Sequence, residues 1–98
     1  MPRTITTDSL ITEYAEPIAS SVGLTASEYD RTEEGLASLL RDTADRLSSM
    51  DQTRDWLEDA AADLDAIARL GDGGSKTQKL FGRIDTTLYE AKSELGLV

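Results

Sequence analysis

The sequence predicts an all-α fold: a small bundle of about four helices with a kinked N-terminal helix, a helical hairpin and no sheet. Three observations carry that prediction. Apolar residues recur at spacings of three and four, and the positions Leu36, Thr43, Met50, Leu57 and Leu64 fall seven apart. No stretch alternates convincingly with period two, as a half-buried strand would. Helix-start signatures of the form Ser/Thr-x-x-Glu/Gln punctuate the chain at Thr25, Ser49 and Ser75.

In chain order, Thr7 or Asp8 is the expected cap of a first helix whose apolar side is Leu10, Ile11, Tyr14, Ile18 and Val22. Pro17 interrupts it. A proline there removes a backbone hydrogen bond and crowds the preceding turn, so a kink or two short helices meeting near Glu16 are expected. Gly23 fits the C-terminal cap. Thr25-Ala-Ser-Glu28 reads as a capping box, and residues 26–31 either form a turn of their own or join the next helix. That helix, capped by Asp30 or Thr32, carries Leu36, Leu39, Leu40, Leu47 and Met50.

Between Glu33 and Leu70 the seven-residue repeat would permit one helix of about 55 Å. Ser49-Met-Asp-Gln52 is a capping box, however, and Arg46, Thr53 and Arg54 stand where an unbroken seam needs apolar groups. We therefore read two helices joined by a tight turn at 48–51. The third helix places Leu57, Ala60, Leu64 and Ile67 inward, with Ala61 and Ala68 beside them, allowing close helix approach. A Gly-rich loop over 71–75 follows. Ser75-Lys-Thr-Gln78 then opens a last helix with Leu80, Phe81, Ile84, Leu88, Ala91 and Leu95 on its buried side and Gly96 as its stop. Residues 1–98 are read as a single acidic helical domain with a short N-terminal arm over 1–7.

Composition bounds the chemistry. At 98 residues the chain buries only about 60–65% of its unfolded surface, so a lone bundle is marginal. The net charge is −9, from 19 acidic and 10 basic residues, and this self-repulsion should make salt stabilising. Asp outnumbers Glu, 11 to 8, and Arg outnumbers Lys, 7 to 3, with Ala and Thr used 11 times each. This usage resembles that of salt-accumulating halophiles; the alternative is an ordinary acidic bacterial or phage protein. The charge is uneven: Met1 to Leu70 holds six basic and fifteen acidic residues, whereas Gly71 to Val98 holds four of each, including all three lysines.

Neither Cys nor His occurs. That removes the thiol nucleophile, the imidazole base and the usual zinc ligand sets. The expectation is a non-enzyme with no cofactor and no specific small-molecule ligand. No apolar run approaches the length that crosses a bilayer, and residues 1–7 lack the features of a signal peptide. A cytoplasmic location, or one inside a particle assembled in the cell, is expected.

Four features are candidates for function. Asp51, Asp55, Asp59 and Asp63 recur at every fourth position and form an acidic stripe on the third helix, read as a solvated surface ahead of a cation site. Lys76, Lys79 and Arg83 form a local positive patch at the start of the last helix, where they oppose the helix dipole. They serve either an acidic partner or carboxylates of their own fold. Trp56, the only tryptophan, lies at the core margin or anchors another subunit. Gly73-Gly-Ser-Lys76-Thr77 superficially resembles a phosphate-binding loop, but Ser75 intervenes and a helix precedes it, so nucleotide binding is not expected. A protein partner is expected, as a homo-oligomer or in a larger assembly such as a virus particle connector. The alternative is an acidic regulatory binder, for example a nucleic-acid mimic. Direct nucleic-acid binding is disfavoured by the anionic surface.

Overall fold

The computed structural model describes residues 5–47, 51–71 and 74–97. The elements are α1 (Thr7–Leu10), a π-helical turn (Ile11–Ala15), α2 (Glu16–Ser21), a 3₁₀ turn (Ala26–Glu28), α3 (Glu33–Asp45), α4 (Gln52–Leu70) and α5 (Ser75–Glu94). The first three run on without a break, so the architecture is four helical rods, and no strand occurs among the described residues. The rods α3, α4 and α5 pack in sequence, and the N-terminal rod lies against α3 and α5. The longest dimension of the molecule is 35 Å. A single straight helix over 33–70 would need about 55 Å; instead α3 ends at Asp45 and α4 begins at Gln52, the two packing against each other as the expected hairpin, while residues 48–50 of the predicted turn lie outside the described residues.

The N-terminal rod is capped by Thr6, in place of the expected Thr7 or Asp8. The Thr6 hydroxyl accepts from the Ser9 N–H at 3.1 Å, and the Ser9 hydroxyl accepts from the Thr6 N–H at 3.1 Å. Only Thr6 has a hydroxyl three residues later; the residue three after Thr7 is Leu10, which cannot reciprocate. Leu10, Ile11, Tyr14 and Ile18 are buried as expected, and Val22 is half-buried.

Pro17 acts by a shift of hydrogen-bond register. The Glu16 N–H donates to the Ile11 carbonyl, which defines the π turn just ahead of the proline, and α2 begins at Glu16. Pro17 has no N–H to offer the carbonyl four residues back, that of Glu13. The Lys92 ammonium, on α5, donates to this oxygen at 2.9 Å and sits 5.8 Å from the centre of the Tyr14 ring. The helix break is thereby tied to α5.

At the end of α2, Gly23 takes φ +83°, a conformation costly for residues with a Cβ. It lets Gly23 and Leu24 donate to the Ser20 and Ala19 carbonyls, closing the last turn. Gly96 ends α5 with the same pair of bonds, to Ser93 and Lys92. Between the first rod and α3, the segment 26–28 forms a turn of its own. Its Thr25 side chain makes no capping bond, contrary to the expected box. Side chains hold this connection: Tyr29 donates to Asp42, and Arg31 reaches Asp8 at 2.6 Å and Thr12 at 3.2 Å.

Thr32 caps α3, its hydroxyl accepting from the Gly35 N–H at 3.0 Å. Leu36, Leu39 and Leu40 are fully buried, and Thr43 shares their face by donating its hydroxyl to the Leu39 carbonyl at 2.7 Å. Leu47 is half-buried, while Met50 and the proposed box residue Ser49 lie outside the described residues. Asp51 caps α4 by accepting from the Thr53 N–H at 2.9 Å. Leu57, Ala60, Ala61, Leu64 and Ile67 are buried as the spacing predicts, and buried alanines on every rod let the helices approach closely. On α5, Phe81, Ile84, Leu88 and Ala91 are buried, but Leu80 and Leu95 are only half-buried.

Thr53 is the exception in the seam. Its side chain is fully buried and its hydroxyl has no hydrogen-bond partner among the described residues. An unsatisfied buried hydroxyl costs on the order of 1–3 kcal/mol. Thr53→Val keeps the shape and the Asp51 cap, so its urea midpoint should rise, corresponding to about 1 kcal/mol of added stability. A fall in midpoint with an unchanged slope would mean that the hydroxyl is bonded.

Candidate functional site

The antiparallel packing of α4 on α5 brings the C-terminal turn of one beside the N-terminal turns of the other. Between them lies an open groove of about 540 Å³, lined by Ala66, Arg69 and Leu70 from α4 and by Lys76, Lys79, Leu80 and Arg83 from α5. Its floor is aliphatic, from the alanine, the two leucines and the stems of the long basic side chains. Its rim carries four cations. Leu70 is 39% exposed there, one of two large hydrophobic side chains exposed among the described residues.

The cations of this rim differ in how the fold uses them. All six described arginines have a partner. Arg31 pairs with Asp8, Arg41 with Asp65, and Arg54 with Asp45 and Glu58, while Arg46 donates to the Val22 carbonyl and Arg69 to that of Asp65. Arg83, from the predicted patch, pairs with Asp63 at 3.5 Å. Lys76 and Lys79 are exposed and have no hydrogen-bond or ion-pair partner among the described residues. They stand in the first turns of α5, where the helix dipole repels them. The helix itself is capped by Gly74, not by the expected box on Ser75, which lies inside the first turn without a capping bond.

The acidic stripe is not uniform. Asp51 is spent as the cap of α4. Asp63 is partly buried, with 15% of its side chain exposed, under Arg83. Burial raises its carboxyl pKa above the ordinary range; the Arg83 charge opposes this rise and the Asp59 charge adds to it. Asp55 and Asp59 are exposed. No group of three or more carboxylates among the described residues is arranged to hold a metal ion. Trp56 is half-buried and packs against the core.

The structure therefore brings Lys76, Lys79 and Arg83 to one groove and pairs Arg83 with Asp63, while Asp51, Asp55, Asp59 and Trp56 do not line that groove. Sequence reasoning passed over Leu70, Arg69 and Ala66. Leu70 continues the Leu64 and Ile67 spacing and reads as one more core leucine; only the position of α5 leaves it uncovered. No helix among the described residues is long and apolar enough to cross a membrane. Comparison with protein-family models, curated proteins and solved structures finds no match to this chain.

Proposed function

We propose that this chain is a non-enzymatic assembly module, a structural or adaptor subunit whose docking face is the groove between α4 and α5. One observation carries the reading: two lysines without a partner among the described residues, at a position unfavourable to their own helix, flank an exposed leucine on a chain of net charge −9. An apolar floor with a cationic rim suits an acidic, amphipathic protein surface, because apolar burial supplies affinity while charge pairing at the rim selects the partner and fixes register. The polar groups around the groove are the side chains of Arg69, Lys76, Lys79 and Arg83, all hydrogen-bond donors suited to anionic partners.

The alternative, mimicry of nucleic acid by a regular carboxylate row, draws less support. Two of the four stripe residues are engaged by their own fold, which leaves Asp55 and Asp59 exposed in the row. A titration decides between the faces. A synthetic acidic amphipathic helical peptide should shift the methyl resonances of Ala66, Leu70 and Leu80, and Lys76→Glu with Lys79→Glu should abolish those shifts. Shifts absent from the groove, together with a basic peptide perturbing the Asp55 and Asp59 face, would transfer the function to the acidic surface.

A further inference from the structure

We infer that the occupant of this groove is a second copy of the chain, seated by Tyr89 and the carboxylates beside it; this rests on the reading that the groove docks protein. What the groove accepts is set by its walls: an apolar or aromatic side chain against Leu70 and Leu80, flanked by negative charge that meets Lys76, Lys79 and Arg83. The molecule carries such a ridge. Tyr89 is 50% exposed, the other large hydrophobic side chain exposed among the described residues. It has no hydrogen-bond partner there. Glu90 follows it about 100° round the helix, and Glu94 lies one turn beyond Glu90 on that side; both are exposed. A tyrosine ring suits such a site, since its apolar body fills the floor and its hydroxyl stays at the wet rim.

Groove and ridge cannot satisfy each other within one molecule. Both lie on α5, and from Leu80 to Tyr89 is about 14 Å along a rigid helix. They are different patches of opposite sign, so the contact is heterologous: the ridge of one copy enters the groove of the next, and the series closes into a ring or extends. The short polar contacts and the apolar burial act locally, whereas repulsion between two bodies of net charge −9 acts at range. At molar salt the screening length falls to about 3 Å, which removes the long-range repulsion first. Assembly should therefore strengthen from low to molar salt.

Sedimentation of the full chain from micromolar to millimolar concentration in molar KCl tests this. The expected result is a mass above the monomer that grows with concentration. Tyr89→Ala alone, and Lys76→Glu with Lys79→Glu, should each weaken association about tenfold or more, while Tyr89→Phe should preserve it. All these positions are exposed, and unchanged helical circular dichroism confirms that the variants fold. Mixing the two weakened variants restores one good contact per pair, so a dimer and nothing larger should form. A wild-type chain that stays monomeric while still binding the acidic peptide in its groove overturns self-assembly and leaves the docking function standing. Assembly that ignores both Tyr89 and the lysines overturns both.

Discussion

Leu64→Ala is expected to lower the free energy of unfolding by about 3–4 kcal/mol, whereas Leu70→Ala on the same helix should change it by less than about 0.5 kcal/mol. The two substitutions remove the same atoms and differ only in surroundings. Leu64 is fully buried on α4, the helix that packs along both α3 and α5. Truncation there opens a cavity between three rods that rigid helices cannot fully close, adding to the lost transfer energy. Leu70 is 39% exposed at the groove and leaves no enclosed void. Against a typical total of about 5–15 kcal/mol, the first loss is severe; in a chain of this size it corresponds to a fall in Tm of roughly 15–25 °C. Thermal unfolding in molar KCl, at protein concentrations where the chain is monomeric, measures both. Equal effects would show that the core is not centred on α4.

The fold was largely legible because helix periodicity and helix punctuation agreed. Leucines at helical spacing marked the buried side of α3 and α4, and each predicted member within the described residues is buried or half-buried. Capping was legible only where a local rule decided between neighbours. Thr32 and Gly23 act as their chemistry predicts, and the displacement from Thr7 to Thr6 follows from Ser9 being the only nearby reciprocal hydroxyl. The boxes on Thr25 and Ser75 did not form for local reasons. The first opens a 3₁₀ turn of three residues that ends at the extended Tyr29, and its Thr25 side chain makes no capping bond. At the second, Gly74 already takes the extended conformation of an N-cap and draws Ser75 into the helix.

The site was legible in part, for a different reason. Lys76, Lys79 and Arg83 share a face of one helix, so their spacing alone groups them. Their complement could not be read from α5. Ala66 and Leu70 join the groove only because α4 runs antiparallel beside it, and Asp63 separates from Asp55 and Asp59 only because Arg83 crosses to it. Periodicity reports which side of a helix is apolar. It does not report where the neighbouring helix stops covering that side, and the end of α4 is such a place.

The same limit governs the second large effect, in which one substitution acts in opposite directions at two helical glycines. Gly82→Ala should stabilise the chain by about 1 kcal/mol, the ordinary gain for replacing glycine within a helix, since a Cβ there meets nothing within 4 Å. At Gly35 a Cβ would lie 2.0 Å from the Asp30 carbonyl oxygen and 2.7 Å from its carbon. Those are backbone atoms, so no side-chain rotation relieves the clash. The connection before α3 must shift instead, and it is tied by Tyr29 to Asp42, by Arg31 to Asp8 and by the Thr32 cap on the Gly35 N–H. Overpacking of this kind costs about 1–3 kcal/mol, and loss of the cap costs about 1 kcal/mol more. Together these exceed the helix-propensity gain, so Gly35→Ala should be net destabilising by about 2 kcal/mol. Urea midpoints of the two variants, one rising and one falling, check this pair. A rise for both would mean that the Asp30 carbonyl does not approach α3, and that the first turn of α3 needs glycine for no reason of space.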